Sequence, residues 1–121
     1  MADAKRILVV EDTKSYSWLI SQQLNKEGFL VSTAENGQEG LDIITDTKPD
    51  LILLDIEMPI MDGVTMAKKL KEQGSEIPII FLTNMSDMAH ISEASDIATE
   101  YVVKSDTKIE DIIERVKNRL K

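Results

Sequence analysis

The stretch Leu51-Ile52-Leu53-Leu54-Asp55 places four consecutive large apolar side chains before a carboxylate. A short run that is apolar on both faces predicts a β-strand buried on both sides, which is typical of parallel sheets covered by helices. Asp55 is the first polar residue at the carboxyl end of this predicted strand. That position is informative, because open parallel sheets bind ligands beyond the carboxyl ends of their strands.

Similar apolar runs occur on both sides of this strand. They predict four more strands, at residues 7–10, 29–34, 78–82 and 101–103. Between the strands, apolar residues recur at helical spacing; Asn36 is predicted to begin one helix, and Gly28 and Gly74 to end two others. The stripes expected to pack on the sheet are Tyr16, Leu19, Ile20 and Leu24; Leu41 and Ile44; Val64, Ala67 and Leu70; and Ile109, Ile112, Ile113, Val116 and Leu120. With a further helix predicted at 87–94, the alternation indicates an α/β fold, a doubly wound five-stranded parallel sheet with helices on both faces.

The composition of the 121 residues fits a single domain covering residues 1–121, and no output domain is expected in this chain. The 14 Lys and Arg against 22 Asp and Glu give a net charge of −8, which argues against binding of nucleic acid or an anionic membrane through this domain. The sequence contains no cysteine, so disulfides and thiolate metal sites are excluded. Neither a signal peptide nor an apolar run of the ~20 residues needed to cross a bilayer is visible, and we expect a cytoplasmic protein.

Polar residues also follow the other predicted strands at the same edge of the sheet. Glu11 and Asp12 come directly after the first strand, Thr83 after the fourth and Lys104 after the fifth. If strands one and three are neighbours, they lie ~4.8 Å apart and their three carboxylates crowd. Each like-charge pair at ~5 Å then costs ~3 kcal/mol at an effective dielectric constant of ~20. A hard cation such as Mg²⁺ relieves this repulsion, and Lys104 adds a positive charge that does not compete as a ligand.

A metal ion, a carboxylate, a hydroxyl and an ammonium group together suit phosphoryl transfer. Ionised Asp55 can act as the nucleophile without a general base, Mg²⁺ and Lys104 can neutralise the phosphoryl oxygens, and Thr83 can donate a hydrogen bond. The product is an aspartyl phosphate. The plainer interpretation, in which each acid caps a helix or is solvated, does not explain why three acids, a threonine and a lysine all fall at one edge of the sheet.

The residues that suit this chemistry lie in four stretches, which in chain order are Ile7-Leu8-Val9-Val10-Glu11-Asp12, Leu53-Leu54-Asp55-Ile56-Glu57-Met58-Pro59-Ile60-Met61-Asp62-Gly63, Phe81-Leu82-Thr83 and Tyr101-Val102-Val103-Lys104. Together they resemble the receiver domain of two-component response regulators, and the Asp-x-x-Met-Pro-x-Met-Asp-Gly pattern is specific. The resemblance implies a flavodoxin-like (βα)5 sheet of strand order 2-1-3-4-5. It also implies a phosphorylation-dependent signalling switch, with self-catalysed phosphoryl transfer and slow autodephosphorylation as its only reactions.

The resemblance assigns a role to each residue at the strand ends. Asp55 is implied to be the phosphoacceptor. Mg²⁺ is implied to be held by Asp12, Asp55 and the backbone carbonyl of Glu57, with Glu11 acting through a water molecule. Lys104 is implied to pair with the phosphoryl oxygens.

Thr83 and Tyr101 match the two switch positions of the family. Their rearrangement is implied to change the face formed by the predicted helix at 87–94, the fifth strand and the last helix. The implied partners are a histidine kinase or phosphotransfer protein as phosphodonor and a downstream protein that the sequence does not identify. A monomer, or a weak dimer on phosphorylation, is expected.

Two residues depart from the family pattern. Ser105 stands where the family has a proline, often after a cis peptide. A cis bond before a non-proline residue costs ~2.5–4 kcal/mol, so we predict a trans Lys104–Ser105 bond and a turn in which Ser105 or Asp106 caps the last helix. Asn84 is larger than the usual small residue after the threonine. Together with the apolar Met85, it predicts slow loss of the phosphoryl group.

The main alternatives are a flavodoxin-like nucleotide or flavin binder and a protein-interaction module that is not phosphorylated. The first would place phosphate beside the loop Glu11-Asp12-Thr13-Lys14, whose two acids repel it unless a metal intervenes. A phosphatase of the haloacid dehalogenase type would have Asp-x-Asp where this chain has Asp55-Ile56-Glu57. Phosphorylation chemistry distinguishes the interaction module from a switch.

Several other residues have plainer predicted roles. His90 is expected on the surface of a polar helix rather than as a phosphodonor, and the polar run 93–100 is expected to be a helix end and loop. Trp18 is expected to be largely exposed on the first helix, where an exposed Trp often marks a contact surface, with partial burial against a neighbouring loop as the alternative. The family resemblance implies that this helix helps to dock the phosphodonor. Three methionines are expected to pack in the core rather than bind a cofactor: Met58, Met61 and Met66.

Overall fold

The computed structural model describes residues 4–84 and 100–120. Its elements in chain order are β1 (Arg6–Val10), α1 (Lys14–Lys26), β2 (Leu30–Ala34), α2 (Gly37–Thr47), β3 (Leu51–Asp55), α3 (Gly63–Glu72), β4 (Ile79–Thr83), β5 (Glu100–Val103), a short 3₁₀ turn (Lys104–Asp106) and α4 (Ile109–Arg119). The predicted helix at 87–94 lies outside the described residues, and so do His90 and Met85. None of the helices within the described ranges is long and apolar enough to cross a membrane.

The five strands form one parallel sheet in the order β2-β1-β3-β4-β5. This confirms the predicted doubly wound sheet and its strand order. The register aligns the carboxyl ends of the central strands, because Val10 pairs with Leu54 and Asp55 pairs with Leu82. On the next strand along, Thr83 pairs with Val103. Residues at the carboxyl ends of these strands, and those that directly follow them, therefore meet at one edge of the sheet.

Helices cover both faces of the sheet and enclose two hydrophobic clusters. Helices α1 and α4 pack on one face, where Ile20, Leu24 and Val116 are fully buried. Helices α2 and α3 pack on the other face, where Met66 is fully buried and Met58 and Met61 lie partly buried against the same cluster. The four apolar residues of β3 are fully buried between these layers. The predicted packing of the three methionines is confirmed.

The helix ends follow the expected local chemistry. The Asn36 side chain accepts a hydrogen bond from the Glu39 amide at 2.8 Å and caps α2. Gly28 and Gly74 have φ of +94° and +80° just beyond α1 and α3, a left-handed conformation that a residue without Cβ adopts readily. The predicted positions of this cap and of both helix stops are confirmed.

Three local predictions are wrong. Leu19, placed on the buried stripe of α1, is 43% exposed, and Ser17 is buried in that helix instead. Glu100, placed in a loop, begins the edge strand β5, where Arg115 and Arg119 of α4 bind its carboxylate at 2.7 and 2.9 Å. The cap position of α4 is occupied by Lys108, without a side-chain hydrogen bond, rather than by Ser105 or Asp106. The chain turns at those two residues and then extends for two more before the helix begins.

Candidate functional site

Two neighbouring strands bring three carboxylates together at the edge of the sheet. Glu11 directly follows β1, and the pairing of Val10 with Leu54 aligns it with Asp55 at the end of β3. One carboxylate oxygen from each of Glu11, Asp12 and Asp55 lies within 4.8 Å of the others. Glu11 and Asp55 are buried, with exposed fractions of 1% and 3%, whereas Asp12 is exposed. The cluster therefore consists of two carboxylates shielded from water and one at the surface.

Lys104 supplies the positive charge within this cluster. Its ammonium group forms an ion pair with one oxygen of Glu11 and lies 3.4 Å from Oδ1 of Asp55. The other oxygen of Glu11 accepts a hydrogen bond from the Thr13 amide at 3.0 Å. Both oxygens of Glu11 are thus engaged by the protein, and Asp55 receives the weaker share of the lysine charge.

Burial and the negative charge of Glu11 raise the pKa of Asp55 to about 8, against the opposing effect of Lys104. Near neutral pH, Asp55 in this environment therefore favours its protonated form, which is a poor nucleophile. An additional positive charge at the cluster favours the ionised form. Three carboxylates of which one is exposed offer the hard oxygen ligands that a divalent cation such as Mg²⁺ requires.

The cluster opens into a cleft of about 480 Å³. The residues that line the cleft are Asp12, Thr13, Tyr16, Asp55, Glu57, Asn84, Lys104 and Ser105. Four residues predicted from the sequence, Asp12, Asp55, Glu57 and Lys104, thus share one cleft with a volume suited to a small ligand. Glu11 lies behind them as the buried partner of the lysine.

The two predicted switch residues lie at the carboxyl end of β4 and in β5. Thr83 is fully buried, and its hydroxyl donates a hydrogen bond to the Asn84 carbonyl at 2.9 Å. Tyr101 is half-buried and stacks on Phe81, with 6.0 Å between the ring centroids. Thr83 directly follows Leu82, the pairing partner of Asp55, and its hydroxyl is directed at the backbone.

The loop after Asp55 explains the glycine of the Met-Pro-x-Met-Asp-Gly motif. The Gly63 amide donates a hydrogen bond to the Ile56 carbonyl at 2.8 Å, which brings the start of α3 against the end of β3. A Cβ atom at Gly63 would lie 2.0 Å from the carbonyl oxygen of Asp55, a severe overlap. The preceding Asp62 caps α3 by accepting from the Thr65 amide at 2.7 Å. This part of the motif fixes the backbone that carries Asp55.

Tyr16 is the cleft residue that sequence reasoning missed, because the helical pattern placed it among the core residues of α1. It does pack on the core, but it also forms one wall of the cleft, and the Lys104 ammonium lies 4.7 Å from the centroid of its ring. That distance is within the range of a cation–π interaction. The signal in the sequence was its position in the first turn of α1, one helical turn beyond Asp12.

The two departures from the family pattern are both found in the cleft. The Lys104–Ser105 peptide is trans, as predicted, and Lys104–Asp106 form a 3₁₀ turn. Asn84 is exposed and lines the cleft beside Asp55.

Known receiver-domain proteins are similar to this chain in sequence. The sequence model described as the response regulator receiver domain matches residues 7–117. Sporulation initiation phosphotransferase F of Bacillus subtilis is 33% identical over 116 residues, which are 96% of this chain and 94% of that protein. The chain spans about half the length of longer relatives such as the response regulator MprA of Mycolicibacterium vanbaalenii, to which it is 28% identical.

Solved structures of receiver proteins have the same fold. A CheY-like receiver domain protein from Methanospirillum hungatei superimposes with a TM-score of 0.90 at 28% identity, covering 98% of this chain and 94% of that one. The response regulator TrrA of Thermotoga maritima, solved with Mg²⁺ and BeF, gives a TM-score of 0.83 at 38% identity and covers 94% and 97% of the two chains.

Proposed function

The chain belongs to the family of response regulator receiver domains, and on this basis we propose that Asp55 is its phosphoacceptor and that Mg²⁺ binds beside it. Receiver domains are signalling switches rather than metabolic enzymes. The observation that carries the proposal is the cluster of Glu11, Asp12 and Asp55 with the Lys104 ammonium 3.4 Å from Asp55.

The donor set fits a magnesium ion held by Asp12, Asp55 and the backbone carbonyl of Glu57, with Glu11 acting through a water molecule. When bound, Mg²⁺ supplies positive charge that favours ionised Asp55 and neutralises phosphoryl oxygens. Glu11 is already paired with Lys104 and is fully buried as a side chain, which suits an indirect role better than direct ligation.

Asp55 then reacts through a carboxylate oxygen. In the proposed step, this oxygen forms a bond to phosphorus while the bond from phosphorus to the donor nitrogen of a phosphohistidine breaks, and the imidazole leaves with that electron pair. The Lys104 ammonium is near enough to Asp55 to form an ion pair with the phosphoryl oxygens once they are attached. The donor is a histidine kinase or a phosphotransfer protein.

Thr83 and Tyr101 link phosphorylation of Asp55 to a conformational change at a surface that binds a partner. We expect the Thr83 hydroxyl to leave the Asn84 carbonyl and donate to a phosphoryl oxygen, since a charged acceptor binds a donor more strongly than a neutral one. Tyr101, stacked on Phe81, is expected to move with it and change the surface formed by the segment 87–94, β5 and α4. A downstream protein would bind that surface, in the monomer or in a weak dimer.

The exposed side chains of α1 suit contact with the phosphodonor. Trp18 is 60% exposed, which confirms the predicted exposure, and the neighbouring Leu19 is 43% exposed. Contact with the phosphodonor stays a prediction for Trp18, as does the cytoplasmic location of the protein. With a net charge of −8, we do not expect nucleic acid or membrane to bind this domain.

Labelling with acetyl phosphate tests the proposal without a cognate kinase. Intact-mass spectrometry should detect one added phosphoryl group in the presence of Mg²⁺ and none with excess EDTA. Asp55→Asn should abolish the labelling, because an amide is not a nucleophile. Asp42→Asn is the matched control, since Asp42 is an exposed carboxylate on α2 that accepts from Gln38, and it should be labelled like the parent. Equal labelling of Asp55→Asn and the parent would refute the assignment.

A further inference from the structure

The Tyr16 hydroxyl is a buried polar group without a hydrogen-bond partner among the described residues. Buried hydroxyls in native proteins nearly always have a partner, so this one requires an explanation. Its ring is held between the hydrophobic cluster below α1 and the ammonium group of Lys104, 4.7 Å from the ring centroid. The side chain is therefore held at the wall of the cleft, while its hydroxyl has no hydrogen-bond partner in the part of the chain that the structure describes.

Burial and the charges around Tyr16 keep its phenol protonated. Burial, followed by the negative charges of Glu11 and Asp55, raises the pKa of the Tyr16 phenol to about 12. The group is thus a neutral hydrogen-bond donor near two carboxylates. A phosphoryl group on Asp55 would bring further negatively charged oxygens to the same cleft.

The other two side-chain donors that are proposed to contact the phosphoryl group are already engaged in this structure. The Lys104 ammonium is paired with Glu11 and lies beside Asp55. The Thr83 hydroxyl donates to the Asn84 carbonyl. Among these three side-chain donors, Tyr16 alone has no acceptor within the described residues.

We propose that the Tyr16 hydroxyl is a further phosphoryl-binding group, which donates a hydrogen bond to an oxygen of the phosphoryl group on Asp55. The inference rests on the proposed function, because it requires an anionic ligand on Asp55. It assigns Tyr16 two contacts: the ring contacts Lys104 in both states, and the hydroxyl finds its acceptor only in the phosphorylated state. The hydroxyl thereby stabilises the phosphorylated form selectively.

Tyr16→Phe tests this proposal, because it removes the hydroxyl and keeps the ring against Lys104. The probe is beryllofluoride with Mg²⁺, a phosphoryl analogue whose fluorine atoms stand in for the phosphoryl oxygens as acceptors. We expect the Kd for beryllofluoride to rise about tenfold, the change expected for loss of one hydrogen bond to a charged group. In EDTA the variant should melt at the same temperature as the parent or higher, because the hydroxyl has no partner to lose within residues 4–84 and 100–120.

Ser21→Ala is the matched control. Ser21 lies on the same helix and carries the other buried hydroxyl without a partner among the described residues, but it does not line this cleft. It should leave the Kd for beryllofluoride unchanged.

The possible results distinguish failure of the role assigned to the Tyr16 hydroxyl from failure of the role assigned to Asp55. Parent-like affinity in Tyr16→Phe would overturn the inference, and so would a lower melting temperature in EDTA, which would assign the hydroxyl a structural role. If Ser21→Ala weakened binding as much as Tyr16→Phe, the effect would belong to α1 in general and the inference would fail. In all three cases, beryllofluoride binding that is lost in Asp55→Asn would leave the proposed function standing. A parent protein that does not bind beryllofluoride would remove both.

Discussion

Replacing Asp55 with Asn should stabilise the metal-free protein, although it removes the group on which the proposed function depends. The buried Asp55 carboxyl has a pKa of about 8 in the folded protein against 3.8 as the ordinary value. Between these two values, the folded state holds a proton that the unfolded state has released. The unfolding free energy of the parent therefore falls as the pH rises through this window, and the stabilising protonated form is lost as the pH passes about 8.

The expected magnitude follows from the width of that window. Each pH unit within it changes the unfolding free energy by about 1.4 kcal/mol, so the parent loses up to about 4 kcal/mol between pH 5 and pH 8. Asp55→Asn carries no charge in either state and escapes this loss. Its amide oxygen can still accept the hydrogen bond that the Ile56 amide donates to Asp55 at 2.9 Å. The gap in stability between variant and parent should therefore widen by up to about 4 kcal/mol over this pH range.

Urea denaturation in EDTA at several pH values between 5 and 8.5 measures the effect. Asp42→Asn is the control for the removal of one negative charge from a chain of net charge −8. Adding Mg²⁺ should narrow the gap, because the cation stabilises the ionised parent. If Asp55→Asn is no more stable than Asp42→Asn at pH 8 in EDTA, burial and the charge of Glu11 do not penalise the ionised Asp55 carboxylate, and the electrostatic account of the site is wrong.

Three further changes have outcomes that the structure or sequence predicts. Ile60→Gly should raise the unfolding free energy measured by urea denaturation by about 1 kcal/mol. Ile60 is 83% exposed and has a φ of +69°, a conformation that is strained for a residue with a side chain. A loss of stability would contradict this prediction. Gly63→Ala should lower the unfolding free energy by about 3 kcal/mol or more, because the new Cβ overlaps the Asp55 carbonyl oxygen. A parent-like urea midpoint would refute the close approach of Gly63 to that carbonyl. The double variant Asn84→Ala, Met85→Glu should shorten the lifetime of the phosphoryl group severalfold, because the smaller residue admits water and the carboxylate orients it. Intact-mass spectrometry at intervals after removal of the donor measures this lifetime. An unchanged lifetime would exclude shielding at these positions.

The sheet and most of the site could be predicted from the sequence because both depend on chain topology. Strands buried on both faces have continuous apolar runs, and β3 with its four buried residues is the clearest of them. Parallel strands with aligned ends then bring the residues that follow them to one edge. The clustering of Glu11, Asp12 and Asp55 required only that β1 and β3 be neighbours.

The features that were missed depend on side-chain packing and on charges from distant parts of the chain. Helical spacing allows more than one buried stripe, and α1 buries Ser17 rather than Leu19. Glu100 can stand in an edge strand because Arg115 and Arg119, more than a dozen residues later, bind its carboxylate. The sequence likewise could not decide that Lys104 pairs with Glu11 in this state, since both Glu11 and Asp55 are within its reach.

The position of the phosphoryl group on the chain is the most direct test of the central claim. The protein labelled by acetyl phosphate and Mg²⁺ can be treated with borohydride, which reduces an aspartyl phosphate to homoserine, and then digested for peptide mass spectrometry. The account predicts homoserine at position 55 and at no other aspartate of the chain. Reduction at Asp12 or another acidic residue, with Asp55 unchanged, would contradict it.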